Sequence, residues 1–323
     1  MDNMITRRRF VGMSAATGAA ILAGGKIAGS TVRAGLALIS PGAATDPAFK
    51  IGGDLEVNRL GFGAMRITGE GIWGWPPDRA NALKVLKRAV ELGVNLIDTA
   101  DAYGPETSEL LIAEALHPYP KGLIIATKGG LTRPGPGNWV PNGHADYLKG
   151  CVDKSLKRLR LDRIDLYQLH TVDPKVPMEE SLGALKEMQS AGKIRHVGLS
   201  NVSPEQIARA RKVLPIVSVQ NRYNLGDRKS EKTIDYCEKE NLGFLPWFPV
   251  GGGRSVKSAA LDAVAKAHGV SVYQVALAWL LQRSPVMLPI PGTSSVAHLE
   301  ENVAAAKLKL APEEWKAINA LAG

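Results

Sequence analysis

Four side chains able to hold or move a proton arrive at the ends of three successive apolar runs. GVNLID ends on Asp98, and the loop beyond it carries Tyr103 five residues later; LIIATK ends on Lys128 and IDLYQLH ends on His170. These residue types suit delivery of a proton to a polarised oxygen. A free phenol, with a pKa of about 10, is a poor acid at neutral pH. A buried ammonium beside it lowers that value, and a carboxylate beside the ammonium keeps the cation charged in a dry site. Lys128 and Asp98 fill those two roles, and His170 can donate a hydrogen bond to a developing oxyanion. Singly, each has a plainer reading: an Asp that caps a turn, a packed turn Tyr before Gly104-Pro105, a solvated Lys at a strand rim.

The elements that must position them are short strands alternating with amphipathic helices. Eight runs read as strands: 60–64, 94–98, 123–128, 164–170, 194–200, 217–221, 243–247 and 286–289. Continuous apolar stretches such as LIIAT are what a parallel sheet buried on both faces requires. Between the first two runs Ala82, Val85, Leu86, Ala89 and Val90 recur at helical spacing, with Asp78 as N-cap and Gly93 as the stop. The same pattern covers 178–190 and 272–282. Eight such units of about 30 residues predict an α/β fold, a (β/α)8 TIM barrel in one domain, with functional groups at the C-terminal strand ends. A hairpin over 48–57, turning at Gly52-Gly53, is expected to close the bottom of the barrel.

The set Asp98, Tyr103, Lys128 and His170, in that order on successive strands, resembles the catalytic tetrad of the aldo-keto reductases. The resemblance runs over about residues 57–310. It implies reduction of a small aldehyde or ketone by hydride from a nicotinamide, with Tyr103 as proton donor. GKIRHVGLSN and VQNRYN resemble the segments whose Ser200, Asn201 and Gln220 positions hold the nicotinamide carboxamide and whose Tyr223 position stacks on its ring. FPVGGG matches the loop crossing the pyrophosphate, which implies contacts from Phe248, Pro249, Val250 and Gly251. PGTSSVAHLEEN resembles the adenosine-phosphate site, implying Gly292, Thr293, Ser294, Ser295, His298, Glu301 and Asn302. Helix N-termini of that kind favour anions. Two departures stand out: Gly292 and His298 occupy positions where relatives place Lys or Arg, and Arg222 replaces the more usual Glu of QNxYN. NADP is the expected cofactor, with NAD open. GFGAM (61–65) lacks the spacing of a nucleotide fingerprint. Trp73, Trp75 and Trp139 follow the first and third strands, and with Trp247 they are expected to line a substrate pocket. The Trp-rich first loop and PGTSSVAHLEEN are similar to bacterial pyridoxal reductases. The same barrel also serves channel-associated subunits that bind cofactor and turn over slowly, and strand-end lysines such as Lys128 serve Schiff-base lyases.

Composition narrows the field further. Of 323 residues, 45% are apolar and 22% charged, as in a globular protein. The net charge is +9, of which Arg7, Arg8, Arg9, Lys26 and Arg33, less Asp2, supply +4. The rest is mildly basic and has no cationic run interleaved with aromatics, so no nucleic-acid partner is expected. Cys151 and Cys237 lie in separate amphipathic stretches and read as packed helix residues. The histidines are scattered without HExxH or a Cys/His cluster, so no metal site is expected. Residues 6–11, TRRRFV, followed by a Gly/Ala-rich run, resemble a twin-arginine export signal. The expected organisation is a signal segment over 1–34, a linker over 35–50 and the barrel over 51–323. Export implies a periplasmic protein that meets the membrane only through this segment; a cytoplasmic enzyme with a basic tail is the alternative.

Overall fold

The apolar runs pair side by side as one curled parallel sheet. The computed structural model describes residues 47–251 and 258–321. It opens on a hairpin of β1 (Ala48–Ile51) and β2 (Leu55–Asn58), turned by Gly52 and Gly53 at φ +65° and +86°. Then come β3 (Phe62–Gly63), α1 (Arg79–Glu91), β4 (Leu96–Asp98), α2 (Thr107–Leu116), β5 (Ile124–Gly129), a second hairpin of β6 (Leu131–Gly135) and β7 (Asn138–Pro141), α3 (Ala145–Leu159) and β8 (Ile164–Leu169). The second half runs α4 (Met178–Ser190), β9 (Ile194–Ser200), α5 (Pro204–Ala210), β10 (Ile216–Gln220), α6 (Glu231–Lys239), β11 (Gly243–Phe244), α7 (Ala259–His268), α8 (Val272–Arg283), α9 (Val296–Ala304) and α10 (Pro312–Asn319).

The parallel sheet has the order β11-β10-β9-β8-β5-β4-β3. Each neighbour is the next parallel strand in the chain, so the helices serve as crossovers. The run at 286–289, expected as an eighth strand, forms no ladder. Instead Phe244 N–H donates to the Val286 carbonyl and Leu288 N–H to the Phe244 carbonyl at 2.8 Å each, and Gly61 N–H donates to the Pro289 carbonyl at 2.9 Å. The segment thus bonds to both edges of the sheet. Pro285, Pro289 and Pro291 lack the donors that a regular strand would need. Pro246 likewise follows the short β11, where a strand reaching 247 was expected.

Local signals in the helices are met where the chain supplies them. Asp78 accepts from Asn81 N–H at 2.8 Å, α1 buries Ala82, Val85, Leu86 and Ala89, and Gly93 follows at φ +87°. The first hairpin buries Ile51, Leu55 and Val57 against Leu96, Ile124, Leu166 and Val217, which lie at or near the starts of their strands. That contact places the hairpin at the end of the sheet away from the tetrad, as expected of a bottom closure. β1 begins at Ala48, inside the span expected as linker. The export motif and the rest of the linker lie outside the described residues. Cys151 on α3 and Cys237 on α6 are buried and unbonded to each other. Among the described residues no helix is long and apolar enough to cross a membrane.

Candidate active site

Strand ends bring the four expected residues together. Asp98 is the last residue of β4 and Lys128 the penultimate residue of β5, and His170 follows β8. Lys128 is fully buried, and its Nζ donates to both Asp98 carboxylate oxygens at 2.8 Å and to the Thr99 carbonyl at 2.7 Å. The Tyr103 phenol adds a further polar interaction with the same ammonium. Gln220 Nε2 adds a bond to Asp98 Oδ1 at 2.7 Å. Lys128 Nζ lies 5.2 Å from the centroid of the Tyr103 ring. The Tyr103 and His170 rings meet edge to face at 5.9 Å, and Trp139 contacts both, at 6.3 and 6.2 Å.

Burial sets the titration of this group, and one expectation is reversed. Burial pushes the Tyr103 phenol up; the Lys128 charge pulls it down and Asp98 pushes it up again, leaving the phenol above its usual value rather than below it. Desolvation lowers the Lys128 ammonium, but the Asp98 and Tyr103 charges outweigh it and the cation is held above the usual lysine value. His170 falls well below the usual histidine value, through burial first and then the Lys128 and Arg133 charges. Its ring is therefore neutral at pH 7, and among the described residues its buried Nδ1 has no hydrogen-bond partner.

Asp98, Tyr103 and His170 line one cavity of about 360 Å³, with Lys128 sealed behind them. Ser200, Asn201, Gln220, Phe248, Pro249, Val250 and Gly292 line the same cavity, as expected, and Trp139 does so from the second hairpin. Asn201 sits at φ +58°, where its amide donates to the His170 carbonyl at 3.1 Å and accepts from Trp247 Nε1 at 3.0 Å. Gly251 lies next to this cavity, in a small neighbouring pocket with Pro249 and Val250; the following loop residues, 252–257, lie outside the described ones. Thr293, Ser294, Ser295, His298, Glu301 and Asn302 do not line the cavity. Thr293, Ser294, Ser295 and His298 gather at the start of α9, where Ser295 Oγ caps His298 N–H at 3.4 Å and Thr293 Oγ1 accepts from Ser295 N–H at 3.0 Å; Glu301 and Asn302 lie in the second half of the helix.

Three expectations fail on placement. Tyr223 is wholly buried, stacked on Trp279 at 5.7 Å with its hydroxyl donating to Glu231 at 2.6 Å, so it cannot face a ligand ring. Trp247, at the matching position past the next strand, lines the cavity instead. Trp73 lies under the Arg133 guanidinium, and Trp75 is 47% exposed beneath Arg79; neither lines the cavity. Arg222 pairs with Asp227 at 3.0 Å and lies 5.6 and 5.2 Å from the Trp247 and Phe248 rings. It backs the two aromatics from outside, which gives the unusual residue a structural role.

A family model for the aldo/keto reductases matches residues 59–322. The chain belongs to the aldo/keto reductase family. As an aldo/keto reductase it is an NAD(P)H-dependent oxidoreductase. It is 54% identical over 262 residues to an uncharacterized oxidoreductase of Schizosaccharomyces pombe, covering 81% of this chain and 85% of that one. It is 47% identical over 267 residues to the pyridoxine 4-dehydrogenase of Escherichia coli, covering 81% and 93%. A solved aldo/keto reductase from Klebsiella pneumoniae, in complex with NADP and acetate, superposes with a TM-score of 0.73 at 25% identity, covering 85% of this chain and 95% of that one.

The aldo/keto reductase cavity also includes residues not anticipated, among them Gly63, Met65, Arg66, Leu131 and Ile290. The GFGAM run ends the first strand, so the strand-end rule that selected Asp98 pointed to Gly63 and Met65 too. Its second glycine serves close approach: a side chain at Gly63 would meet the Ile290 carbonyl oxygen at 2.6 Å, and one at Gly292 would meet the Gly63 carbonyl oxygen at 2.5 Å.

Proposed function

We propose that the protein is an NADP-dependent reductase of small aldehydes or ketones, with Tyr103 giving the proton to the carbonyl oxygen. The observation that carries this reading is the shared cavity wall of Tyr103 and His170, backed by the sealed Lys128 and Asp98 pair. Ser200, Asn201 and Gln220 offer a hydroxyl and two amides to a ring bearing a carboxamide. When bound, the nicotinamide supplies the hydride. Neutral His170 donates a hydrogen bond that fixes the direction of the carbonyl oxygen, and Tyr103 holds the proton for that oxygen. Lys128 opposes the rise that burial imposes on the phenol, and Asp98 keeps Lys128 charged.

The pyridoxine 4-dehydrogenase relative and the aromatic lining support a flat aromatic alcohol and aldehyde pair as the substrate class. The bonds from 286–289 to both sheet edges support reading the fold as a (β/α)8 barrel. The test is NADPH oxidation by the purified protein with propanal, benzaldehyde and pyridoxal, and the reverse reaction with the alcohols. No turnover in either direction would defeat the proposal.

Cofactor choice rests on the α9 N-terminus and on the NADP-bound Klebsiella relative. If Ser294, Ser295 and the helix amides take a 2′-phosphate, fluorescence titration gives NADPH an affinity at least about 10-fold above NADH, worth ~1.4 kcal/mol of charge-assisted hydrogen bonds. Equal affinities would show an adenosine site indifferent to the phosphate.

Residues 1–34 we read as an export segment, on the TRRRFV motif and the Gly/Ala-rich run after it. Changing Arg7→Lys with Arg8→Lys preserves charge but removes the planar fork of both side chains. The expected result is retention in the cytoplasm of a folded, active enzyme. Fractionation that finds the wild-type protein cytoplasmic with residues 1–34 intact would refute export.

A further inference from the structure

The second hairpin was not legible in the sequence, and a single side chain anchors it. Arg133, on β6, sends its guanidinium across three loops at once. Nε donates to the Asn138 carbonyl at 3.0 Å within its own hairpin. Nη1 donates to the Ala102 carbonyl at 2.7 Å, one residue before Tyr103, and to the Ile72 carbonyl at 3.2 Å. Nη2 donates to the Gly71 carbonyl at 3.3 Å. Among the described residues its hydrogen-bond partners are backbone carbonyls, so the cation is spent on geometry rather than on neutralising an acid. Its flat face lies 3.6 Å from the centroid of Trp139.

The loop that Arg133 grips is under strain. Ile72 holds φ at +58°, a left-handed conformation that a β-branched residue takes only when its surroundings impose it. Its carbonyl accepts from both Arg133 and the Gly104 N–H, the latter at 3.3 Å. Gly104 directly follows Tyr103, so the strained turn, the Tyr103 loop and the Trp139 hairpin are tied at one point.

We propose that Arg133 is a specificity-determining residue of this site, holding Trp139 as a fixed wall beside Tyr103 and His170 so that flat aromatic carbonyl compounds are bound in one orientation. Only a rigid indole can serve as such a wall. A mobile one would have to be ordered by each substrate, and that ordering weakens binding. A guanidinium stacked on the indole and forked to carbonyls removes the motion beforehand. The substrate side of this inference rests on the carbonyl-reductase reading; the clamp itself does not.

Two measurements separate them. In protein labelled with 5-fluorotryptophan, the fluorine resonance of Trp139 is identified by its loss in Trp139→Phe. Arg133→Met is expected to shift and broaden that line, and Arg133→Lys to fail to restore it, because an ammonium lacks the plane and the fork. An unmoved, sharp Trp139 line in Arg133→Met would overturn the clamp, whatever the enzyme does.

In steady-state kinetics with NADPH, Arg133→Met is expected to raise KM for benzaldehyde about 10-fold while kcat changes less than about 3-fold, the signature of lost substrate binding rather than lost chemistry. KM for propanal, too small to span the cavity to its wall, and the affinity for NADPH are expected to stay within about 3-fold, less than ~0.7 kcal/mol. Trp139→Ala should reproduce the benzaldehyde effect and add nothing to it in the double variant, since the two residues act as one unit. Equal losses for both aldehydes, or a matching loss of NADPH affinity, would reassign Arg133 to general loop structure. Absence of turnover with any aldehyde in the wild-type protein would sink the reductase reading and leave the clamp decided by the fluorine line.

Discussion

Replacing Tyr103 by Phe is expected to lower kcat at least ~100-fold while leaving NADPH binding intact, since a positioned general acid supplies about 10²- to 10⁴-fold. The phenylalanine ring keeps the edge contacts with Trp139 and His170, so the wall of the cavity survives and only the hydroxyl is lost. At the lower bound the effect corresponds to about 2.7 kcal/mol of transition-state stabilisation. The direction of the Tyr103 shift adds a second readout. Burial holds the phenol above 10.0, so the wild-type kcat should stay level through the neutral and mildly alkaline range and fall only as the pH rises past that value. The residual rate of Tyr103→Phe should lack this alkaline limb. Unchanged kcat in the variant, or a limb that persists, would remove Tyr103 from the proton-transfer step.

Asp98, Tyr103, Lys128 and His170 could be read from the sequence because each stands at, or in the loop after, the end of an uninterrupted apolar run, and a parallel sheet gathers such ends on one side. Residues whose orientation depends on more than strand position could not. Tyr223 and Trp247 each stand three residues beyond a strand, at Gln220 and Phe244 respectively, and only packing distinguishes them. Tyr223 meets Trp279 and Glu231 on its inner side, whereas Arg222 and Phe248 flank Trp247 at the cavity rim. The hairpin carrying Trp139 was hidden by its own composition. LTRPGPGNWVP has the prolines and glycines of a loop, and its strands are pinned by Arg133 through carbonyls distant in sequence. The irregular eighth segment escaped for a related reason. Its apolar run has the pattern of a strand, but prolines remove the amides that a ladder would use.

The Asp98 and Lys128 pair carries the largest expected effect on stability. In Asp98→Asn the side chain keeps its size and its contact with Gln220, but Lys128 is left as a fully buried cation without an anion. Breaking a buried pair in this way costs about 3–5 kcal/mol, because the remaining charge is uncompensated. Urea unfolding at pH 7 should show that loss. In the wild-type protein Lys128 is held above its ordinary 10.5, so the stability it contributes is fully present below that pH and is lost only as the pH rises through the higher folded value. In the variant the Asp98 charge, the chief influence opposing burial, is gone; with only Tyr103 left against it, burial is expected to bring the folded value below 10.5, so that the unfolded chain binds the proton more readily than the native one. Stability of Asp98→Asn should therefore climb as the pH is raised from 7 towards 10, while the wild-type protein shows no such gain from this residue. The difference between the two proteins should narrow over that interval. A deficit that stays constant from pH 7 to 10 would mean that Lys128 does not carry an uncompensated charge in the variant, and that Asp98 stabilises the fold through its hydrogen bonds alone.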